Sequence, residues 1–350
     1  MRVQYGGRSW AWGAMVLGAA ALVACASAPP AAPAAASAPQ DLTPTTAQAP
    51  IKVGVALGGG AAKGFAHIGV LKILEANGLA PAVVAGTSAG SVVGALYASG
   101  MDAFALQEKA VALDEAKIRD LQFSSGGLVQ GKKLEDYVNE QVRRQPLERL
   151  AKPFVAVATR LEDGERTVFA RGNTGQAVRA SSSVPGVFQP VTIGKYHFVD
   201  GGIVSPVPVD AARALGADVV IAVDISNKAR GKAPEHLLGA LNQSIAIMGQ
   251  KLGQAELARA DVVVRPQVLD IGAADFSQRA QAIVEGEKAA TAAMPQIRER
   301  IAQLQAQRAQ AVQVAQQKAA QERQQACLEG RSRLEKLAGM VGVGAGCEQP

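Results

Sequence analysis

Two consecutive units of strand, glycine-rich turn and helix constrain the fold of this chain more than any other feature. The first unit places the loop G-G-G-A-A-K-G, residues 58–64, between an apolar strand and a helix. The second places the turn G-T-S-A-G, residues 86–90, between the strand at 82–85 and another helix. Successive units of this kind build parallel sheets, in which equivalent strand ends lie side by side. The tips of the two glycine turns are therefore predicted to be neighbours.

The alternation of short apolar runs and helical stretches continues to residue 264 and predicts an α/β fold. Near-continuous apolar strands indicate a mostly parallel central sheet covered on both faces, a three-layer arrangement. Turn signals at 162–164 and 194–195 predict that a few antiparallel strands join its edge. Strands are predicted at 52–57, 82–85, 154–159, 167–170, 197–199, 218–223 and 261–264, and helices at 63–76, 89–99, 102–113, 132–142, 209–215 and 237–258.

Ser88 lies at the centre of the second turn, which has the pattern of a nucleophile elbow. A serine in such a turn has a strained backbone and an exposed hydroxyl that can attack an acyl carbon. Gly86 and Gly90 are expected because a Cβ at either position would collide with the neighbouring strand or helix. The helix N-terminus behind the serine favours developing negative charge.

The glycine-rich loop at 58–64 offers backbone N–H groups at a helix N-terminus, which is a typical anion site. A dinucleotide site is disfavoured because no acidic residue follows the second strand, and a Walker loop is disfavoured because Lys63 precedes Gly64 and is not followed by Ser or Thr. Since the loop and the elbow are predicted neighbours, an oxyanion hole fits best. Its candidate residues are Gly58, Gly59, Gly60, Ala61, Ala62, Lys63 and Gly64.

A nucleophilic serine needs a base, and three histidines are present in the chain. His197 lies within a predicted strand, and His236 lies in a polar loop without an acidic partner. His67 follows the glycine loop, where a packed or capping role is expected. Asp200 is the better candidate, because it ends a strand and precedes two glycines; a buried carboxylate can act as a base when its pKa is raised. The alternative is an ordinary Asp-Gly turn.

The order of these motifs resembles the patatin-like phospholipases, especially the bacterial group similar to neuropathy target esterase. The blocks that carry the resemblance are LGGGAAKGFAHIGVL at 57–71, GTSAG at 86–90, RASSSVPGVFQP at 179–190 and DGGIVSPVPVD at 200–210. The resemblance covers residues 51–265 and implies a patatin-like fold. It also implies a Ser-Asp dyad without histidine, in which Ser88 is the nucleophile, Asp200 is its base and the loop at 58–64 is the oxyanion hole. Ala61 departs from the pattern, because many members have a fourth glycine there.

The N-terminus is predicted to be a targeting segment. Residues 1–24 have two arginines before an apolar run, and the run ends in Leu-Val-Ala before Cys25, which resembles the bacterial lipobox. The expected product is a lipoprotein acylated at Cys25, tethered by an Ala/Pro-rich stretch at 25–50 and anchored in the outer membrane facing the periplasm. An ordinary secretory signal is the alternative.

The C-terminal part changes composition. After a hydrolase domain predicted at 51–290, a helical extension is expected at 291–338 and a flexible tail at 339–350. The thin apolar stripe of this helix leaves packing on the domain, self-association, partner binding and projection open. Cys327 and Cys347 form a predicted disulfide in an oxidising compartment, with two unpaired thiols as the alternative.

The sequence as a whole predicts a serine lipid acyl hydrolase of the phospholipase A or lysophospholipase type that works through an acyl-enzyme. Membrane phospholipids or lysophospholipids are the expected substrates, with no cofactor and no metal, since no metal-ligand spacing occurs. A net charge of +6 and 4% aromatic residues do not indicate a nucleic-acid partner. The alternative is a non-catalytic envelope lipoprotein that serves as a binding or scaffolding module.

Overall fold

The computed structural model describes residues 49–114, 129–226 and 237–337. Its centre is an eight-stranded sheet in which the strand order is β5-β6-β3-β2-β1-β7-β8, and β4 also pairs with β3. The strands are β1 (Val53–Leu57), β2 (Val83–Thr87), β3 (Phe154–Arg160), β4 (Arg166–Phe169), β5 (Val191–Ile193), β6 (Tyr196–Asp200), β7 (Val219–Val223) and β8 (Val262–Val264).

Most of the sheet is parallel, as predicted. Five adjacent strands, β3, β2, β1, β7 and β8, run parallel to one another. The remaining pairs are antiparallel: β4 and β6 pair with β3, and β5 pairs with β6. The two predicted hairpin turns join β3 to β4 and β5 to β6, and Gly164 and Gly194 adopt φ values of 74° and 62° in them. The predicted α/β fold class is confirmed.

Helices cover both faces of the sheet. They are α1 (Phe65–Ala76), α2 (Ala89–Ala98), α3 (Ala103–Val111), α4 (Lys132–Gln141), α5 (Thr174–Ser181), α6 (Val209–Ala214), α7 (Leu237–Leu257) and α8 (Arg279–Leu337). One core, which includes Val55 and Leu57, packs under α1, α2, α3 and α8. A second core, which includes Ala56, packs under α6 and the end of α7. The alternation of β1 side chains between these two cores is the period-2 geometry of a strand.

Two elements, α5 and β5, were not predicted from the sequence. The buried face of α5 consists of small side chains, and a Cβ on Gly175 would lie 2.2 Å from the Glu135 carbonyl oxygen of α4. The helix therefore depends on close packing that an apolar periodicity does not reveal. The Asn173 side chain caps it by accepting a hydrogen bond from Gln176 N at 2.8 Å.

The last helix begins earlier than the predicted extension. It starts at Arg279, runs for 59 residues and contains Pro295. Its first part packs on α1 so closely that a Cβ on Gly286 would lie 2.0 Å from the Ala66 carbonyl oxygen. Buried contacts on both sides of Pro295, at Met294 and Ile297, hold the helix through the proline. Nearly all residues from 311 to 330 of this helix are exposed.

Three predictions concern residues at the ends of the chain. The predicted signal peptide, Cys25 and nearly all of the tether lie outside the described residues, as do Cys347 and the tail at 339–350. Cys327 lies exposed on α8. The lipid anchor and the disulfide therefore stay predictions. Within the described ranges, no helix combines the length and the apolar character that a membrane span requires.

Candidate active site

Ser88 connects β2 to α2 and has the backbone of a strained elbow, with φ of 53° and ψ of −123°. A non-glycine residue at positive φ costs about 1 to 3 kcal/mol and is typical of functional sites. The two flanking glycines are required by close approaches. A Cβ on Gly86 would lie 2.5 Å from the Gly90 carbonyl oxygen, and one on Gly90 would lie 2.0 Å from the Leu57 carbonyl oxygen. A side chain at either position would therefore collide with the backbone, as the sequence analysis expected.

Neighbouring serines hold the elbow in place. Ser88 N donates to Ser181 Oγ at 2.9 Å, and Ser181 Oγ donates to the Val157 carbonyl oxygen at 2.6 Å. Ser91 Oγ donates to the Ser88 carbonyl oxygen at 2.7 Å. Sequence reasoning missed both serines as supports of the nucleophile. The sequence did contain a signal for Ser181, since this residue belongs to the block at 179–190 that carries the family resemblance.

Asp200 ends β6, which is separated from the elbow strand only by β3. Its Oδ1 accepts a hydrogen bond from Gly202 N at 2.7 Å, and its side chain is buried beside Ser88. Its Oδ2 has no partner of full hydrogen-bond geometry among the described residues. Catalytic hydrogen bonds are often loose before substrate binds. The carboxylate therefore has one oxygen fixed by the backbone and one available to the serine hydroxyl.

The environment of Asp200 suits a general base. Burial raises its pKa from 3.8 to about 6, although the nearby Ser88 hydroxyl and the hydrogen bond from Gly202 N favour the ionised form and oppose that rise. A carboxylate with a pKa near neutral pH is ionised at pH 7.5 and is still basic enough to accept a proton.

The described histidines have other roles. His67 is fully buried, and its Nε2–H donates to the Gly58 carbonyl oxygen at 2.8 Å, so that it supports the glycine loop. Burial lowers the His67 pKa to about 4, which keeps the ring neutral. His197 is exposed on β6 and pairs with Glu162 at 2.8 Å. His236 lies outside the described residues.

The glycine loop has fewer available N–H donors than the sequence suggested. Gly58 N donates to the Val223 carbonyl oxygen at 3.1 Å, and Gly59 N donates to the Pro206 carbonyl oxygen at 3.0 Å. Gly58 and Gly59 are among the predicted oxyanion-hole residues, but in this structure their N–H groups are already bound and are not available as donors. Ala62 N is also bound, at 3.1 Å from the Ala273 carbonyl oxygen.

Two N–H groups of the loop remain available to an anion. Those of Gly60 and Ala61 make no hydrogen bond to the described part of the chain. Ala61 adopts φ of 53°, the region that favours glycine, which is consistent with its position as a departure from a run of glycines. Lys63 is buried in the 3₁₀ turn Ala61–Gly64 that ends the loop. Burial lowers its pKa, and the charge of Asp270 opposes that effect.

Both candidate catalytic residues line one cavity of about 780 Å³. The cavity extends from Ser88 along α2 and α3, and its volume lies within the range of small-molecule binding sites. Its walls are mainly apolar, and they include Phe65, Ile68, Val92, Leu96, Leu106, Leu113, Leu134, Val187, Phe188 and Phe276. The space beside Ser88 and Asp200 therefore suits an apolar group.

Comparison with known proteins agrees with this arrangement. Residues 55–213 match the family described as patatin-like phospholipase, and this segment includes Ser88 and Asp200. An uncharacterized NTE family protein of Mycobacterium tuberculosis is 36% identical over 184 residues, which are 52% of this chain and 51% of that protein. Patatin-like phospholipase domain-containing protein 6 of Mus musculus is 32% identical over 184 residues, which are 50% of this chain and 14% of that protein.

The relatives and the solved structures set the extent of the likeness. The chain spans about half the length of the mycobacterial relative. The crystal structure of VipD from Legionella pneumophila superposes with a TM-score of 0.48 at 17% identity, over 69% of this chain and 66% of that one. The sequence matches support a patatin-like phospholipase domain in this chain, with homologues in the NTE family.

Proposed function

We propose that this chain, which carries a domain similar to the patatin-like phospholipases, hydrolyses fatty-acyl esters of membrane lipids through Ser88 and Asp200. The observation that carries the proposal is the position of a strained serine and a buried carboxylate of raised pKa in the wall of one apolar cavity. Serine acyl hydrolysis needs a nucleophile, a base and oxyanion donors, and each has a candidate here.

The first half-reaction acylates the serine. Ser88 Oγ forms a bond to the ester carbonyl carbon while its proton passes to Asp200 Oδ2. The carbonyl oxygen becomes negative and accepts hydrogen bonds from the N–H groups of Gly60 and Ala61, which contribute on the order of 3 kcal/mol each. The ester C–O bond then breaks, and the departing alcohol takes the proton from Asp200.

The second half-reaction releases the fatty acid. Water attacks the acyl carbon and gives a proton to Asp200, and the bond to Ser88 Oγ breaks as that oxygen takes the proton from Asp200. Asp200 therefore acts twice as a base and is returned to its ionised form. The proposal involves no metal and no organic cofactor, because side-chain and backbone groups of the chain supply each proton and each charge.

The surface around α7 supports a membrane lipid as substrate. Ala246 and Gly249 of α7 line the cavity, and the neighbouring Ile247 and Met248 are 48% and 50% exposed. Apolar side chains exposed next to an apolar cavity can enter the interfacial region of a bilayer, from which a phospholipid or lysophospholipid would reach Ser88.

A lipid anchor on Cys25 would keep the enzyme at that surface. We propose acylation of Cys25 and residence at the outer membrane, supported by the lipobox pattern at 22–25 and the composition of the tether. Mass spectrometry of the mature N-terminus tests this point. A chain that begins at a residue other than an acylated cysteine would contradict it.

A fluorophosphonate probe in lipid or detergent tests the hydrolase. The wild type should be labelled covalently, and Ser88→Ala should not. Ser244→Ala is the matched control, since Ser244 is an exposed serine of α7 that does not line the cavity. This control should be labelled as fast as the wild type. An unlabelled wild type would favour the alternative, a non-catalytic lipoprotein that binds partners through the exposed part of α8.

A further inference from the structure

A short segment after Asp200 connects the parts of the proposed site. We call residues 205–207 the bridging segment. The Pro206 carbonyl oxygen accepts the N–H of Gly59 at 3.0 Å, which fixes the glycine loop. The Ser205 carbonyl oxygen accepts the hydroxyl of Thr87 at 2.8 Å, which fixes the residue before the nucleophile. The oxyanion loop and the elbow are therefore both hydrogen-bonded to the same three residues.

The bridging segment is also tied to the candidate base. Ser205 N donates to the Gly201 carbonyl oxygen at 2.8 Å, and Gly201 directly follows Asp200. A Cβ on Gly201 would lie 2.1 Å from the Val157 carbonyl oxygen, so this turn is packed against β3. A shift of the bridging segment would consequently move the nucleophile, the base and the oxyanion donors relative to one another.

One buried carboxylate holds the bridging segment from the far side. Glu256 lies near the end of α7 and is 4% exposed. One of its oxygens accepts the Ser205 hydroxyl, and the other accepts Val207 N at 2.9 Å. Hydrogen bonds to an ionised acceptor are stronger than those between neutral groups. Each carboxylate oxygen of Glu256 is thus used on one end of the segment.

We infer that Glu256 is a positioning residue for the proposed hydrolase: its carboxylate clamps the bridging segment and so fixes the geometry among Ser88, Asp200 and the loop at 58–64. Glu256 itself does not line the cavity that holds the substrate. The residue lies outside the segment that matches the family, which ends at 213. This role rests on the proposed function for its effect on catalysis, although the clamp itself is a property of the fold.

The position of Glu256 requires a buried hydrogen-bond acceptor. Burial raises its pKa, while the hydrogen bonds from Ser205 and Val207 N lower it. An apolar side chain of similar size would leave the Ser205 hydroxyl and the Val207 N–H buried without an acceptor, which is costly. Glutamine at this position can still accept from Val207 N and can donate to the Ser205 hydroxyl.

The test compares Glu256→Leu, Glu256→Gln and Arg259→Gln in the full chain. Arg259 pairs with Asp210 at 2.7 Å just beyond α7, and among the described residues its side chain makes no hydrogen bond to the bridging segment, so it controls for general loosening of that helix end. Each variant is assayed for the rate of fluorophosphonate labelling and for kcat and KM on a soluble short-chain ester. Amide hydrogen exchange is measured in peptides that cover 57–64, 86–92 and 200–207.

Glu256→Leu should lower the labelling rate and kcat by about 100-fold with KM changed less than about threefold, because misplacement by about 1 Å costs catalysis and not binding. Exchange should rise in all three peptides. Glu256→Gln should lower the labelling rate and kcat by about threefold, and Arg259→Gln should have the labelling rate and kcat of the wild type. If Glu256→Leu does not fold, Ser205→Ala should show the same kcat effect at about tenfold.

Two outcomes separate this inference from the proposed function. Unchanged labelling, kcat and exchange in folded Glu256→Leu would overturn the clamp while the hydrolase stands. An unlabelled wild type would overturn the hydrolase. In that case the exchange measurement still decides the clamp, since it does not depend on turnover.

Discussion

Replacing Asp200 by asparagine measures how much folding stability is lost by keeping a carboxylate beside Ser88. The asparagine carbonyl can still accept Gly202 N, and its amide faces the serine hydroxyl, so the shape of the site is preserved. The variant removes only the ability to ionise. Activity should therefore be lost while the folded state gains stability at neutral pH, which is the trade-off expected of a buried catalytic group.

The magnitude follows from the pKa of Asp200, which is about 6 in the fold against an ordinary value of 3.8. Because this pKa is raised, the group favours folding most below 3.8, and that contribution is lost as the pH rises through about 6. The ionised carboxylate then disfavours the folded state by about 3 kcal/mol at pH 7.5 and by about 1 kcal/mol at pH 4.5.

Thermal unfolding of the wild type and Asp200→Asn at the two pH values is the assay. The variant should melt about 5 °C higher at pH 7.5, and this advantage should shrink to about 2 °C at pH 4.5. Asp261→Asn is the control with the opposite sign. Burial raises the pKa of Asp261, but Val220 N, Arg300 and Arg213 outweigh burial and lower it, so this variant should melt below the wild type at pH 7.5.

The same pKa predicts the pH dependence of catalysis. The wild-type kcat/KM should rise as the pH increases through about 6 and then level off, because Asp200 must be ionised to accept the proton of Ser88. An Asp200→Asn variant without a gain in stability at pH 7.5, or with an equal gain at both pH values, would refute the electrostatic argument. A variant that keeps wild-type activity would refute the role of base.

Two further predictions concern the membrane face and the helix packing. Met248→Asp should lower hydrolysis of phospholipid vesicles by about tenfold and leave hydrolysis of a soluble ester unchanged. Val314→Asp is the control, because Val314 has a similar exposure but lies on α8 and does not line the cavity; it should change neither rate. Loss of both activities in Met248→Asp would contradict an interfacial role. Gly286→Ala should destabilise the fold by about 1 to 3 kcal/mol in chemical denaturation, because its Cβ would meet the Ala66 carbonyl oxygen. Gly330→Ala, on the exposed part of the same helix, should be neutral or slightly stabilising. Equal effects of the two substitutions would show that stability does not depend on the close packing of α8 on α1.

The sequence predicted the fold and the candidate site where the signals are local. The elbow and the glycine loop each follow a strand within a few residues, so a parallel sheet brings them together without further information. Strand β2 ends two residues later than predicted, because Gly86 and Thr87 continue its pairing with β3. Ser88 is therefore the first residue beyond the sheet, which fixes its position more rigidly than a loop would.

The sequence could not show which N–H groups of the loop are free. Gly59 appeared equivalent to Gly60 in the run of glycines, but only the tertiary structure brings Pro206 within hydrogen-bond distance of it. Glu256 was missed for the same reason, since it approaches Ser205 from a helix 51 residues away. No local pattern distinguishes such a residue from the other polar residues of α7.

Some residues that shape the proposed site lie outside the segment that matches the family. The match covers residues 55–213 and ends before β7. The glycine loop, however, is fixed by Val223 and Ala273, which accept the N–H groups of Gly58 and Ala62. The cavity wall also includes α7. A segment cut at 213 would retain Ser88 and Asp200 but lose the partners that orient the oxyanion donors and the clamp on the bridging segment. The residues of the proposed chemistry therefore lie in the matched segment, whereas their geometry depends on residues as far along the chain as Ala273.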